Sequence, residues 1–419
     1  MLKKTKRTSF EIPQELFLEA YDRVRKNKGA AGVDKESLSD FSRNLKDNLY
    51  KLWNRMSAGS YFPPAVKAVP IPKKSGGTRI LGIPTVGDRV AQMVIKMIFE
   101  PLVEPEFLED SYGYRPNKSA LDAISIIRTR CWKQDWVLEF DIKGLFDNIP
   151  HDLLMKAVRK HTELRQVTLY IERWLKAPMQ NYEGELRERN CGTPQGGVIS
   201  PLLSNLFLHY TFDKWLKLHY PALKWCRYAD DGLIHCKSKE EAEHMLQVLE
   251  DRFGECGLEL HPEKTKIVYC KDANRKGEYE NQSFDFLGYT FHCKMTLNRK
   301  TQKVFLNFVP SVSDVSIKAM RKKTREMNWQ RRSDLSLDEI AQASNPVLRG
   351  WLQYYGVYSR SSLASVFNHF NGKLLGWLKR KYKHLRGKKV KAGKVLAKIS
   401  KSQPNLFAHW KIGMRATFA

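Results

Sequence analysis

Two acidic segments far apart in the chain constrain it more than any other feature. Phe140-Asp141-Ile142-Lys143-Gly144-Leu145-Phe146-Asp147 closes an apolar run that begins at Trp136. Arg227-Tyr228-Ala229-Asp230-Asp231-Gly232 separates two short apolar runs, Trp225–Tyr228 and Leu233–Cys236. The first pattern predicts a strand over 136–141 ending in an acid, the second a strand, a tight turn and a return strand. At adjacent strand ends, Asp141, Asp230 and Asp231 could share a pair of Mg²⁺ ions, since magnesium takes oxygen ligands and leaves positions for substrate phosphates. Two such ions about 4 Å apart clamp the attacking and leaving oxygens of a phosphoryl transfer. An Asp-Asp pair by itself is also ordinary turn chemistry, so the surrounding motifs must decide between the two readings.

The remaining pattern is α+β. Pro13–Lys26 has a helical period, followed by turn signals at Asn27-Lys28-Gly29 and Gly32-Val33-Asp34. Val66–Ile71 and Thr78–Ile83 read as hairpin strands around Lys73-Lys74-Ser75-Gly76-Gly77. Helices are expected over Val86–Phe99, Leu202–Tyr220 and Lys239–Cys256, and a basic helical region after about Phe308.

Charge is unevenly spread. The chain of 419 residues carries a formal +27, and from Ser316 to Ala419 there are 23 Lys/Arg against 4 Asp/Glu. No acid follows Glu339. An excess of this kind speaks of a polyanionic partner, most often nucleic acid, and its asymmetry suggests a catalytic body followed by a binding module. A nonspecific basic protein is the bland alternative. No apolar run approaches the roughly 18 residues of a membrane span, so no membrane partner is expected. The N-terminus lacks the apolar stretch of a secretory signal. Seven widely spaced cysteines without a CxxC pair indicate neither a disulfide framework nor a zinc site. Reduced thiols in a cytoplasm fit best.

The acidic segments, with Gly192-Thr193-Pro194-Gln195-Gly196-Gly197-Val198-Ile199-Ser200-Pro201 between them, make the chain resemble a reverse transcriptase, most closely the intron-encoded maturases of bacterial group II introns. Ile71-Pro72-Lys73 with Gly77-Thr78-Arg79 and Leu81-Gly82-Ile83-Pro84 is similar to that family's first finger motif, and Ser111-Tyr112-Gly113-Tyr114-Arg115-Pro116 to its second. Gly257–Thr265 and Phe286-Leu287-Gly288-Tyr289 resemble later palm and primer-grip motifs, and Leu348–Tyr355 the maturase domain beyond the thumb. The resemblance implies a right-hand polymerase fold: fingers, a palm with an antiparallel sheet and a helical thumb, then a helical maturase domain. The expected divisions are 1–60 for an N-terminal extension, 61–295 for fingers and palm, 296–345 for the thumb and 346–419 for the maturase domain. It implies DNA synthesis on an RNA template from a DNA primer with dNTPs. It also implies binding of the parent group II intron RNA in the bacterial cytosol or nucleoid, aiding its splicing and mobility.

Roles follow position by position. Asp141, Asp230 and Asp231 are the expected catalytic metal ligands for two Mg²⁺ ions, with Mn²⁺ as an alternative, and the Ile142 carbonyl is a further candidate. Asp231 could instead stand behind the ligands, and Asp147 reads as structural, near a helix start. Phe146, five residues after Asp141, resembles the steric gate that rejects a 2′-OH; alone it would read as core. Lys73 and Arg79 flank the glycine hairpin and suit a triphosphate, Arg as a fork and Lys as a point charge. Gln195 and Gly196 are read as nucleotide-positioning residues, glycine allowing close backbone approach. Lys264 is a candidate proton donor to pyrophosphate, with Lys266 as competitor. Arg115 would contact template or stabilise the fingers, and Tyr112 and Tyr114 would stack on a base or lie buried.

In the basic region Arg349, Lys379, Arg380 and Lys381 are the expected RNA contacts, acting on phosphates. Trp351, Tyr354, Tyr355 and Tyr358, and likewise Phe367, Phe370, Leu374 and Trp377, repeat at helical spacing and read as core. Because the chain ends at Ala419 without CxxC pairs, no endonuclease domain is expected, and mobility would use existing 3′ ends. Three competing readings remain. One is a domesticated relative in phage defence or repair, told apart by a flanking intron RNA. Another is a splicing cofactor without polymerase chemistry, which would have a decayed acidic site. The last is an RNA-dependent RNA polymerase, which Phe146 argues against.

Overall fold

The computed structural model describes residues 10–72, 77–297 and 301–415, which form two compact units. Unit 1 comprises Met1–Ala123 and Val137–Ile267, and unit 2 comprises Ile124–Trp136 and Val268–Ala419. The α+β class expected from the sequence holds in the described residues, and no helix among them is long and apolar enough to cross a membrane.

The described residues form two four-stranded sheets, the first within unit 1 and the second built mostly from its strands. The hairpin strands β1 (Val66–Pro72) and β2 (Thr78–Ile83) pair antiparallel from Lys67↔Ile83 to Pro72↔Thr78. The strand β3 is Trp136–Asp141, and the two-residue strands β4 (Met179–Gln180) and β5 (Leu186–Arg187) extend the hairpin sheet in the order β2-β1-β4-β5. The other sheet has the order β6-β7-β3-β8, with β6 Lys224–Tyr228, β7 Asp231–Cys236 and β8 Lys266–Tyr269. Strands β6 and β7 pair antiparallel, Tyr228 opposite Asp231, so Ala229 and Asp230 form the tight turn.

One face of β3, Trp136, Leu138 and Phe140, is wholly apolar, while the other carries Val137, Glu139 and Asp141. Phe140 packs on Phe212 and Phe253 at ring separations of 5.1 and 5.9 Å. The helix Val86–Val103 is largely buried, and its buried Asp88 is paired, accepting from Tyr61, Gln92 and Trp174. Thr85 caps it, its hydroxyl accepting the Asp88 amide at 3.2 Å. The expected helix over 202–220 runs as Ser200–Leu208, a π-helical turn His209–Asp213, and Lys214–His219.

Unit 2 holds a three-stranded sheet, β9 (Ser283–Phe286), β10 (Tyr289–Leu297) and β11 (Val304–Val312), in the order β11-β10-β9. The basic region therefore turns helical later than the sequence suggests. Strand β11 occupies Val304–Val312, and Ser313 then caps the helix Asp314–Met327. The helices Leu337–Tyr355, Ala364–Lys381 and Lys389–Ser402 follow. Phe367, Phe370, Leu374 and Trp377 do form core, buried with Leu396, Phe407 and Trp410. Trp351 and Tyr355 pack at its margin.

Candidate active site

The acidic turn is seated by two glycines. Gly232 lies under the Phe140 ring, where an added Cβ would come 2.1 Å from the ring carbon Cζ. Gly113 lies against the turn itself, where a Cβ would stand 2.4 Å from the Ala229 nitrogen. Ala229 adopts φ 58°, a left-handed conformation that side chains disfavour and a surrounding structure must hold.

Strand β3 delivers Asp141 beside this turn. Burial raises the Asp230 carboxyl, and the charge of Asp141 raises it further. Burial pushes Asp231 up to about 7, with Asp230 and then Asp141 adding to the effect. The three carboxylates, from the end of β3 and the turn into β7, thus lie within reach of one another's charges. Lys264 reaches it: Nζ donates to Asp141 Oδ2 at 2.5 Å. Burial lowers the Lys264 ammonium, but the hydrogen bond and charge of Asp141, with the other two carboxylates, outweigh that and leave it raised. Lys266 goes elsewhere, to Glu139 at 3.3 Å. Geometry therefore separates the two lysines that sequence left as competitors. Among the described residues no three His, Cys, Asp or Glu side chains are gathered into a ready metal cluster, and the ammonium of Lys264 is the cation against Asp141.

Ile142 makes an isolated bridge with Leu260 that draws on the Lys143 amide and the Asp141 carbonyl, at 2.9 and 2.8 Å, rather than on its own carbonyl. Gly144, at φ 59°, then starts the short helix Leu145–Asn148 and leaves Phe146 half-buried. The segment 192–197 wraps around that helix. The Thr193 amide donates to the Phe146 carbonyl at 2.7 Å, and Gln195 Nε2 to Asp147 Oδ2 at 3.1 Å. The Gln195 carbonyl accepts the Gly82 amide at 2.7 Å, fastening the segment to β2. Gly196 has φ 112°, and a Cβ there would meet the Gly82 carbonyl at 2.6 Å. Backbone bonds thus link β2, which carries exposed Arg79, to Gln195, and the same segment to Phe146, with Gly196 packed against the Gly82 carbonyl. Lys73 lies outside the described residues.

The Tyr-Gly-Tyr-Arg run divides. Tyr112 is buried, while Tyr114 is 55% exposed and close enough to Asp230, Arg79 and Asp231 to feel their charges. Burial first, then Asp230, raises the Tyr114 hydroxyl. Arg115, expected either to contact template or to stabilise the fingers, is turned inward. Its fork is buried against Glu104 at 2.7 Å and bonds the carbonyls of Leu108 and Ser111. In unit 2, Arg349 and Arg380 are exposed and Lys379 is half-buried. Lys381 Nζ is held by the carbonyls of Ser333 and Leu335 at 3.2 and 2.8 Å, which leaves it less available to RNA.

Sequence reasoning missed Arg227 and Asp213, a buried pair joined at 2.6 Å behind the acidic turn. The available signal was a charged residue inside the short apolar strand and an acid inside an apolar helix, which are rarely buried unless paired.

Known proteins are similar to this chain in two regions. Residues 71–291 match the family described as reverse transcriptase (RNA-dependent DNA polymerase), and residues 317–394 match the group II intron, maturase-specific domain. Protein YkfC of Escherichia coli (strain K12) is 34% identical over 302 residues, 62% of this chain and 78% of that protein. The group II intron-encoded protein LtrA of Lactococcus lactis subsp. cremoris is 28% identical over 444 residues, 85% of this chain and 70% of that protein. Among solved structures, telomerase from Candida albicans in complex with a fragment of telomeric RNA aligns with a TM-score of 0.46 at 12% identity, over 88% of this chain and 69% of that one.

Proposed function

The chain belongs to the reverse transcriptase family and carries a group II intron maturase-specific domain, and from that premise we propose that it extends a DNA primer on an RNA template and binds its parent intron RNA to assist splicing and mobility. The observation that carries the polymerase half is the placement of Asp141, at the end of β3, beside Asp230 and Asp231 at the turn into the neighbouring strand β7. An all-oxygen donor set of this kind fits a hard divalent cation. Asp141 and Asp230, with Asp231 and the Ile142 carbonyl, would hold it. When bound, two Mg²⁺ ions, or Mn²⁺, supply activation of the primer 3′-OH and neutralisation of the triphosphate.

The chain's own residues divide the remaining work. Lys264 is half-exposed on a flexible stem, so it can leave Asp141 when another cation takes its place. Its ammonium, which burial lowers but the carboxylates raise on balance, is suited to give a proton to a departing pyrophosphate. Arg79, with Lys73, holds the triphosphate. Phe146 lies under the sugar and excludes a 2′-OH, while Gln195 and Gly196 set the nucleotide's position through backbone and amide contacts. Arg349, Lys379 and Arg380 offer charge to intron RNA phosphates, which structured RNA presents together with 2′-OH groups. The divisions at 1–60, 61–295, 296–345 and 346–419 remain our proposal for extension, fingers and palm, thumb and maturase domain.

Asp230→Asn tests the division of labour. It should abolish primer extension yet leave the affinity for intron RNA within about twofold. Equal loss of both would contradict the reading.

A further inference from the structure

Arg227 lies in β6, three residues before Asp230, and is fully buried. Each of its five N–H groups has a protein acceptor. Nε donates to Asp213 Oδ1 at 2.8 Å and Nη2 to Asp213 Oδ2 at 2.6 Å. Nη1 donates to Asn205 Oδ1 at 3.1 Å and to the Ala229 carbonyl at 3.0 Å, and Nη2 also to Ser111 Oγ at 2.8 Å. Asp213 closes the π-helical turn His209–Asp213. Such a turn shifts the side chains after it relative to a regular helix.

The same residues tie three segments together. Asn205 Nδ2 donates to the Gly113 carbonyl at 2.6 Å, and the Arg227 backbone bonds Asp110 and Tyr112, both at 2.9 Å. Gly113 in turn abuts the Ala229 nitrogen. One guanidinium therefore contacts the acidic turn, the helix behind it and the segment carrying Tyr114.

We propose that Arg227, oriented by Asp213, is a positioning residue that holds Ala229 in its left-handed conformation and so sets the direction in which Asp230 and Asp231 leave the turn. Lysine cannot replace it. A lysine carries the charge but lacks a planar fork that reaches Asp213, Asn205 and the Ala229 carbonyl at once. A merely structural ion pair would behave differently, since its loss would lower stability without a specific effect on the carboxylates. The inference rests on the polymerase reading for its kinetic arm and on divalent-ion affinity for the other.

The test uses the full chain with Mn²⁺ as probe, read by electron paramagnetic resonance, alongside RNA-templated primer extension. Arg227→Lys should raise the Kd for Mn²⁺ at least about fivefold. It should also lower kcat at least about tenfold while the dNTP KM stays within about twofold. Tyr170→Phe is the control: it removes a buried bond to the Met56 carbonyl elsewhere in unit 1. It should lower Tm and leave Mn²⁺ affinity unchanged. Wild-type Mn²⁺ affinity and kcat in folded Arg227→Lys would overturn the proposal, as would an equal affinity loss in Tyr170→Phe. Should Arg227→Lys not fold, Asn205→Ala decides. A rise of about threefold or more in Kd supports the proposal, and wild-type affinity overturns it. If wild-type protein extends no primer, the polymerase reading fails, and the positioning claim is still judged on Mn²⁺ affinity.

Discussion

Gly232→Ala probes how the acidic turn is seated with the least possible change. The backbone at 232 lies outside the left-handed region, so alanine meets no conformational strain. A restricted unfolded chain alone would make the variant about 0.4–1 kcal/mol more stable. Packing opposes this. The new methyl would stand 2.1 Å from Cζ and 2.6 Å from both Cε carbons of Phe140. That ring is 1% exposed and packed against Phe212 and Phe253, so it has little room to retreat. Overpacking of this kind costs about 1–3 kcal/mol, and the severity of the overlap places it at the upper end, for a net loss of about 2 kcal/mol. Phe140→Ala alone should cost about 3–5 kcal/mol by leaving a cavity. In that background the methyl at 232 enters empty space, so Gly232→Ala should become neutral or stabilising. The cycle then gives a coupling of about 2 kcal/mol or more. Urea unfolding followed by tryptophan fluorescence, compared at matched slopes, measures each corner. A wild-type-like Gly232→Ala, or strict additivity in the double variant, would refute the reasoning.

Two further outcomes follow from other sites. Phe146→Val or Phe146→Ala should raise incorporation of rNTPs relative to dNTPs by about tenfold or more, and unchanged sugar selectivity in primer extension would retire the gate. His409 is buried, its Nε2 hydrogen-bonded to Asn371 Oδ1 at 2.8 Å, and burial lowers its pKa to about 3. The unfolded chain takes up that proton below about 6.5, whereas the folded chain does not, so the stabilisation is complete above 6.5 and lost as pH falls toward 3. By pH 5 about 2 kcal/mol should be gone. His409→Gln should flatten unit 2's stability between pH 7.5 and 5 by about that amount in calorimetry or urea titration, and an unchanged pH profile would count against the burial argument.

Much of the local structure could be read from residues. Trp136–Asp141 announces itself as an apolar run closed by an acid, and Ala229-Asp230-Asp231-Gly232 as turn chemistry between two apolar runs. The core face Phe367, Phe370, Leu374 and Trp377 follows from helical spacing. What stayed hidden depends on tertiary partners. A buried arginine such as Arg227 is invisible to a pattern that expects charges outside, because four of its five acceptors come from distant segments. Tyr112 and Tyr114 look equivalent in sequence, yet only one is exposed. Lys264 and Lys266 are separated by the start of β8, which turns Lys266 toward Glu139 and leaves Lys264 facing Asp141. The helical, basic reading from about Phe308 overlaps the end of β11, where Phe308–Val312 pair antiparallel with Tyr289–Cys293 of the strand just before it, and the alternation there is too short to announce a strand.

RNA-templated extension of an annealed DNA primer by purified protein, with Mg²⁺ and dNTPs and with Asp230→Asn alongside, tests the central claim most directly. The account predicts extension by the wild type, none by the variant, and RNA binding by both. Tight RNA binding by a wild type that adds no nucleotide would contradict it and leave a splicing cofactor in its place.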